Sequence, residues 1–155
     1  MIQFRDEQNC LVEFSSKPEF GEAWHVLVLC RFQGQWVLTR NRKRGLEFPG
    51  GKREQGETIE EAAIREVYEE TGGIVSDLLF LGQYKVHDVH KPFVKSIYYT
   101  ELSEMTLKHD YLETDGPELL EALPQDIKSV SEFSFIMKDE ILTLSLKQLN
   151  NMIEK

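Results

Sequence analysis

The sequence predicts an α/β fold, because apolar strand-like segments lie before and after a central helix and an amphipathic helix ends the chain. The 155 residues are 41% hydrophobic, a composition that suits one globular domain with a sizeable core. No internal repeat or low-complexity tract divides the sequence. We therefore expect residues 1–155 to form a single domain, built as an α/β sandwich.

The first half of the chain contains three strand candidates, two of which form a hairpin. Residues 11–14 are a short candidate, and residues 24–31 are rich in β-branched and apolar side chains. Gly34 marks the turn into a partner strand at residues 35–40. A basic stretch follows in this acidic protein: Arg40, Arg42, Lys43 and Arg44. It is either a solvated exit from the hairpin or, because it precedes the helix, a set of phosphate contacts.

The central helix is predicted to begin at Glu57 or Thr58 and to end at Gly72-Gly73. Thr58 and Glu61 have the spacing of a capping box, in which each side chain binds a free backbone N–H group of the first turn. No proline interrupts the segment, so the local sequence supports one continuous helix.

Three carboxylates, Glu66, Glu69 and Glu70, fall on one side of this helix. Like charges at this spacing repel, and a divalent cation such as Mg²⁺, which prefers oxygen ligands, would remove the repulsion. The alternative is a glutamate-rich surface helix in which Arg65 pairs with a neighbouring carboxylate. The glycine-rich loop before the helix favours the metal site, because glycine permits close approach of the backbone to phosphate or metal.

The second half of the chain supplies two further strands and the last helix. Residues 75–86 and 93–102 are adjacent strand candidates and are expected to pair antiparallel. Residues 101–126 are acidic and are predicted to be loops with turns. A helix of about fifteen residues follows residues 133–137. Its predicted apolar stripe consists of Leu142, Leu146, Leu149 and Ile153, without Ser145.

Charge and composition exclude several classes of function. A formal net charge of −9 argues against a general nucleic-acid or anionic-membrane surface. No apolar run is long enough to span a membrane, and the first residues do not resemble a signal peptide. Two cysteines, Cys10 and Cys30, are too few for a disulfide framework, so we expect a cytoplasmic protein.

The glycine loop and the helix together match a long pattern. Gly51 is followed after five residues by Glu57 and, after seven more, by the run REVYEETG at residues 65–72. This arrangement resembles the Nudix box, the signature of hydrolases that cleave nucleoside diphosphates linked to another group. One position departs from the pattern, because Gly73 stands where an aliphatic residue is usual and Ile74 follows one place late. The departure concerns the chain path after the helix, not the metal site.

The resemblance implies a fold and a reaction class. Nudix domains have a mixed β-sheet between helices, so it predicts an α/β/α sandwich. The segments EFPGGK, LGQYKV, ETDGP and FSFIMKD are similar to those of Nudix nucleoside triphosphatases of the mutator or oxidised-nucleotide type.

The resemblance also implies which residues form the metal site. Carried over by position, the metal ligands are Glu66, Glu69, Glu70 and the carbonyl oxygen of Gly51. Glu57 would support the site through water or Arg65, and Arg65 would fix the rotamer of a box carboxylate.

The general base and the substrate contacts are less closely defined by the pattern. Glu69 or Glu66 could activate water, but many Nudix relatives use a glutamate outside the box. Glu113 is the candidate here, with Glu101 and Glu118 as substitutes. Arg40 and Lys52 are the candidate phosphate contacts. Phe135 and Asp139 could form a slot for the nucleobase of the substrate, although an aromatic residue at a helix entrance is more often part of the core.

These expectations lead to three alternative functions. The first is a Mg²⁺-dependent nucleoside triphosphate pyrophosphohydrolase, with Mn²⁺ as a substitute cation, acting on guanine nucleotides including 8-oxo-dGTP. The second is removal of pyrophosphate from the 5′ end of triphosphorylated RNA, which the acidic charge disfavours. The third is a non-catalytic nucleotide-binding module, against which the intact set of carboxylates argues. The sequence leaves the oligomeric state open.

Overall fold

The computed structural model describes residues 1–153, which form a mixed β-sheet with one helix on each face. The strands are β1 Ile2–Arg5, β2 Leu11–Ser15, β3 His25–Phe32, β4 Gln35–Asn41, β5 Gly45–Glu47, β6 Gly50–Lys52, β7 Gly73–Val75, β8 Leu79–His87, β9 Phe93–Met105 and β10 Thr114–Leu120. The helices are α1 Ile59–Thr71 and α2 Glu140–Ile153.

The main sheet has the strand order β1-β2-β8-β9-β3-β4-β10. Strands β3 and β9 run parallel, and the other pairs are antiparallel. Three short strands attach to it, with β5 on β4, β6 on β3 and β7 on β9. The mixed sheet, the β3–β4 hairpin and the antiparallel β8–β9 pair confirm the sequence predictions.

The side chains of β3 alternate between two cores, which is why helices cover both faces of the sheet. Val26, Val28 and Cys30 pack in one core with Ala62, Ala63 and Val67 of α1. Leu27 and Leu29 pack in the other core with Ile141, Leu142 and Leu149 of α2. The predicted α/β/α sandwich is therefore confirmed.

The ends of α1 follow the predicted capping chemistry. Thr58 accepts a hydrogen bond from the backbone N–H of Glu61, and the Glu61 side chain accepts one from Thr58 N–H. Gly72 ends the helix in the left-handed conformation, with φ of 76°. At the position that departs from the Nudix pattern, a Cβ on Gly73 would lie 2.6 Å from the side chain of Leu102. Glycine there lets β7 pack closely against β9.

Replacing Thr58 with Ala should lower the free energy of unfolding by about 1 kcal/mol, because the Glu61 N–H loses its acceptor at the start of α1. Urea denaturation would measure the change. Thr143→Ala, at an exposed position of α2, is the matched control and should not reduce stability. Equal stability of Thr58→Ala and the wild type would contradict a stabilising cap.

The prediction of loops throughout residues 101–126 is wrong. Strand β9 continues to Met105, and β10 pairs with β4 at the end of the sheet. Gly116 and Pro117, taken as a turn, lie inside β10 where the register with β4 shifts. Edge strands and bulges accept glycine and proline, because their ladder of hydrogen bonds is already interrupted.

The apolar stripe predicted for α2 is only partly correct. Leu142 and Leu149 are buried and Leu146 is half-buried, but Ile153, in the last turn, is 56% exposed. Ser145, left out of the stripe, is fully buried on the sheet side. Its small side chain sits one turn from both Ile141 and Leu149, so its position on the helix, not its polarity, determines its burial.

Within residues 1–153, no helix is long and apolar enough to cross a membrane.

Candidate active site

Two carboxylates of α1 approach the backbone of β6, which carries no side chain at its first two positions. The Gly50 N–H donates to Glu70 Oε2 over 3.0 Å. A Cβ placed on Gly51 would lie 2.6 Å from the carboxyl carbon of Glu66. The consecutive glycines therefore create the space in which Glu66 and Glu70 lie.

Burial changes the proton affinity of both carboxylates. Loss of water, together with the charges of Glu69 and Glu113, raises the pKa of Glu66 to about 7, even though Arg65 opposes the shift. Burial and repulsion by Glu66 raise the pKa of Glu70 to about 9. Both groups thus lie where a positive charge would be strongly stabilising.

Arg65 connects the acidic residues of the box. Its Nε and Nη2 donate to the carboxylate of Glu57 over 2.7 and 3.0 Å. Its Nη1 donates to Glu66 over 2.8 Å and to Glu69 over 3.2 Å, and Nη2 also reaches the carbonyl of Lys52. Arg65 therefore orients the carboxylates of Glu57, Glu66 and Glu69 by direct hydrogen bonds.

The donor set suits a hard divalent cation. Glu66, Glu69, Glu70 and the Gly51 carbonyl offer oxygen atoms, and a bound cation would offset the burial that raises the pKa of Glu66 and Glu70. In the present side-chain arrangement, no three His, Cys, Asp or Glu groups among residues 1–153 converge closely enough to hold an ion. Arg65 engages Glu66 and Glu69, whereas Glu70 accepts from Gly50.

The backbone of Glu70 is anchored to the edge of the sheet. Its carbonyl oxygen accepts hydrogen bonds from the hydroxyl of Thr39, in β4, over 2.9 Å and from that of Thr114, in β10, over 3.3 Å. Both threonines are buried. These contacts fix the position of α1 relative to β4 and β10.

Next to the glycine strand lies a cavity of about 220 Å³, here called the phosphate cavity. Its polar lining residues include His25, Arg44, Glu47, Lys52 and Lys95. Lys52 was predicted as a phosphate contact, and the structure places it here.

Arg40, the other predicted phosphate contact, does not line this cavity. It forms ion pairs with Glu118 and Glu132 over 3.2 and 3.3 Å. Arg44 lies in the cavity instead, oriented by two hydrogen bonds of 2.9 and 2.8 Å to the buried Glu47. The structure thus does not support Arg40 as a phosphate ligand, because its guanidinium group is directed to other carboxylates.

A second depression of about 180 Å³ adjoins the first through the shared residues Lys95, Phe135 and Ile136. We call it the base cavity, because it contains the residues predicted to contact the nucleobase. Phe135 is 46% exposed, so it forms a wall and is not part of the core. Asp139 and Tyr84 also line this cavity. The two predicted nucleobase contacts, Phe135 and Asp139, therefore line the same cavity.

Lys95 is a residue of this site that the sequence analysis missed. Burial lowers the pKa of its ammonium group, while the charges of Glu47 and Asp139 oppose that change. Its position in β9 gives no local indication of function, because only the pairing of β9 with β8 and β3 brings it to the cavities. Glu47, in contrast, lies in the EFPGGK segment that overlaps the box.

Asp139 should make stability depend on pH. Burial, with smaller contributions from Asp6 and Glu7, raises its pKa from 3.8 to about 6 against the attraction of Lys95. A carboxyl with a raised folded-state pKa contributes stability that is complete below pH 3.8 and is lost as the pH rises to about 6. Asp139→Asn keeps an oxygen acceptor for the Ile141 N–H. It should therefore be more stable than the wild type above pH 6, by about 1–2 kcal/mol after solvent screening.

Chemical denaturation of both proteins between pH 4 and 8 measures this effect. The difference in free energy of unfolding should shrink as the pH falls below 6. A difference that does not vary with pH would show that Asp139 has an ordinary pKa.

Of the three candidate general bases outside the box, Glu113 is the one whose charge acts on Glu66. Its charge contributes to the raised pKa of Glu66, and it directly precedes Thr114, which contacts the backbone of Glu70. Glu118 is paired with Arg40, and Glu101 lies in β9 opposite Arg31 of β3.

Comparison with known proteins identifies the family. The family model of the NUDIX domain matches residues 19–141, which is most of the chain. The chain belongs to the Nudix family. As a Nudix hydrolase it acts on phosphoric anhydride bonds, and hydrolases of this family use divalent cations.

Two curated relatives are named for oxidised nucleotides. YtkD of Bacillus subtilis strain 168, to which 8-oxo-dGTP diphosphatase activity is provisionally ascribed, is 46% identical over 151 residues, or 96% of each chain. The oxidized purine nucleoside triphosphate hydrolase of Mus musculus is 30% identical over 149 residues, covering 81% of this chain and 94% of its own.

Solved Nudix structures have the same fold. The crystal structure of a mutant of the Bacillus subtilis pyrophosphohydrolase BsRppH superposes with a TM-score of 0.95 at 45% identity, covering 98% of both chains. A Nudix hydrolase from Nitrosomonas europaea has a TM-score of 0.67 at 15% identity, covering 84% of this chain and 90% of its own, and shows the fold alone.

Proposed function

We propose that this Nudix hydrolase is a Mg²⁺-dependent nucleoside triphosphate pyrophosphohydrolase, which converts its substrate to a nucleoside monophosphate and diphosphate. The observation that carries the proposal is the pair of buried carboxylates, Glu66 and Glu70, next to a cavity lined by Arg44, Lys52 and Lys95. Such a site would bind a polyphosphate through its cationic side chains and a divalent cation through its carboxylates.

Bound Mg²⁺ would supply charge neutralisation at the phosphate oxygens and lower the pKa of a coordinated water. Glu66, Glu69 and Glu70, with the Gly51 carbonyl, would hold it. Glu113 would accept a proton from the attacking water, a role supported by its exposure and by the effect of its charge on Glu66. Arg65 would keep Glu66 and Glu69 in position during the reaction.

The base cavity has the polar groups that a guanine requires. Guanine presents O6 and N7 as acceptors and its exocyclic amino group as a donor. Lys95 can donate to the former and Asp139 can accept from the latter, while Phe135 offers an aromatic face. Together with the names of the two curated relatives, this supports guanine nucleotides, including 8-oxo-dGTP, as substrates.

Product analysis tests the proposal. The wild type with Mg²⁺ is incubated with dGTP, 8-oxo-dGTP, ATP, ADP-ribose and a 5′-triphosphorylated RNA. We expect monophosphate and diphosphate from the free nucleotides, fastest with the guanine bases. Release of single orthophosphates, or no turnover of any nucleoside triphosphate, would overturn it.

A second candidate substrate is the 5′ end of triphosphorylated RNA, whose terminal anhydride bonds are of the same type. The overall charge of the protein disfavours it. A local concentration of lysine and arginine beside Lys52 favours it.

A further inference from the structure

Next to the phosphate cavity, the surface has a depression of about 470 Å³, which also meets the base cavity at Phe93. We call it the basic groove. Its principal lining residues are Trp24, Lys52, Arg53, Lys85, Lys91 and Phe93. It shares His25 and Lys52 with the phosphate cavity, so the two depressions are continuous.

The charge of the basic groove is opposite to that of the whole protein. Four cations line it, Lys52, Arg53, Lys85 and Lys91, against the one carboxylate of Glu22. The formal charge of the protein is −9. Burial and the charge of Lys95 lower the pKa of His25 to about 4, and two of these lysines, Lys52 and Lys91, add to the shift. The groove therefore suits a polyanion.

The groove also presents aromatic surface. Trp24 is 46% exposed, which leaves part of its indole ring open to a ligand. The guanidinium carbon of Arg53 lies 4.1 Å from the centre of its ring. Phe93 packs against His25 with 4.7 Å between ring centroids. Aromatic faces interspersed with cations are the means by which proteins hold single-stranded nucleic acid, since bases stack while phosphates pair with the cations.

The groove extends beyond the two cavities that would hold a mononucleotide. Trp24 and Lys91 line the groove but neither the phosphate cavity nor the base cavity. An RNA chain, in contrast, continues from its first nucleotide with one phosphate and one base per residue.

We propose that the basic groove binds the single-stranded segment of an RNA whose 5′-triphosphate occupies the phosphate cavity. The proposal rests on the pyrophosphohydrolase activity proposed above and extends it to the second candidate substrate. Trp24 stacks with a base, and Lys85 and Lys91 contact phosphates of the chain. Lys52 lies at the junction, where the terminal phosphates pass into the site.

The test compares two substrates in the same variants. Trp24→Ala and the double variant Lys85→Gln/Lys91→Gln are assayed with dGTP and with a 5′-triphosphorylated RNA of roughly six nucleotides. We expect kcat/KM for the RNA to fall about tenfold in each variant, while that for dGTP stays within about twofold. For the lysine variant, the dependence of log kcat/KM on log salt concentration should flatten by roughly 0.7 per lost phosphate contact.

Lys17→Gln/Lys147→Gln is the matched control, because it removes two positive charges at exposed sites outside the groove. It should leave both substrates unaffected. Hydrolysis of dGTP without hydrolysis of RNA by the wild type, or equal RNA turnover in the groove variants, would overturn the proposal.

A binding measurement separates this proposal from the proposed activity. Fluorescence anisotropy with an end-labelled single-stranded RNA of the same length reports affinity without turnover. Weaker binding in the groove variants supports the groove even if the wild type hydrolyses nothing, in which case the proposed reaction fails alone. Equal binding in all proteins overturns the groove.

Discussion

Replacing Glu70 with Gln should lower kcat/KM by at least about 100-fold while leaving the fold intact. Loss of an outer partner of a metal ligand already costs about 10- to 100-fold, so loss of a ligand carboxylate should cost no less. The amide keeps an oxygen that can accept from the Gly50 N–H. The amide is also neutral, like the protonated carboxyl of Glu70. With a pKa of about 9, Glu70 is mostly protonated at neutral pH when no cation is bound.

Thermal unfolding with and without Mg²⁺ distinguishes loss of the cation from damage to the fold. Without Mg²⁺ the variant and the wild type should melt at similar temperatures. Addition of Mg²⁺ at about 100 times its dissociation constant should stabilise the wild type by about 2.7 kcal/mol and the variant by less. Glu104→Gln, an exposed change on β9 with the same loss of charge, is the control. Wild-type turnover in Glu70→Gln would remove Glu70 from the metal site.

Replacing Gly51 with Ala should reduce activity by about 10- to 100-fold with a melting temperature within about 2 °C of the wild type. The new methyl group would lie 2.6 Å from the carboxyl carbon of Glu66, a flexible side chain that can move away. The substitution should therefore displace Glu66 and weaken binding of the cation, without disturbing the packing of the fold.

Gly50→Ala is the informative comparison, because it adds the same methyl group one residue earlier. There the Cβ would lie 2.3 Å from the backbone carbonyl oxygen of Val26, which cannot move without disturbing β3. This overpacking should cost about 1–3 kcal/mol of stability. Differential scanning calorimetry and steady-state kinetics on both variants test the contrast. Equal melting temperatures, or full activity in Gly51→Ala, would contradict it.

The sequence was sufficient to predict features that depend on local spacing. The bounds of α1, its capping box and the common side of Glu66, Glu69 and Glu70 follow from helical periodicity within one segment. The alternation of β-strands with two helices was sufficient for the layer architecture.

Features that depend on distant contacts were missed. In the sequence, Arg40 and Arg44 are equivalent members of one basic stretch. In the structure, Arg40 pairs with Glu118 at the sheet edge, whereas Arg44 pairs with Glu47 in the phosphate cavity. Lys95 reaches the cavities through strand pairing across the sheet. Strand β10 was taken as a loop because Gly116-Pro117 is typical of turns, whereas its pairing with β4 accommodates them at an irregularity.

The two threonine hydroxyl groups on the Glu70 carbonyl have a consequence for how the enzyme loses activity. Strand β10 is an edge strand of the sheet. Glu113, the residue directly before it, is the proposed general base. Fraying of this edge would withdraw Thr114 from α1 and displace Glu113 at the same time. Partial unfolding of this edge strand and inactivation are then one event, so activity reports on the local stability of the edge and not on the global stability of the fold.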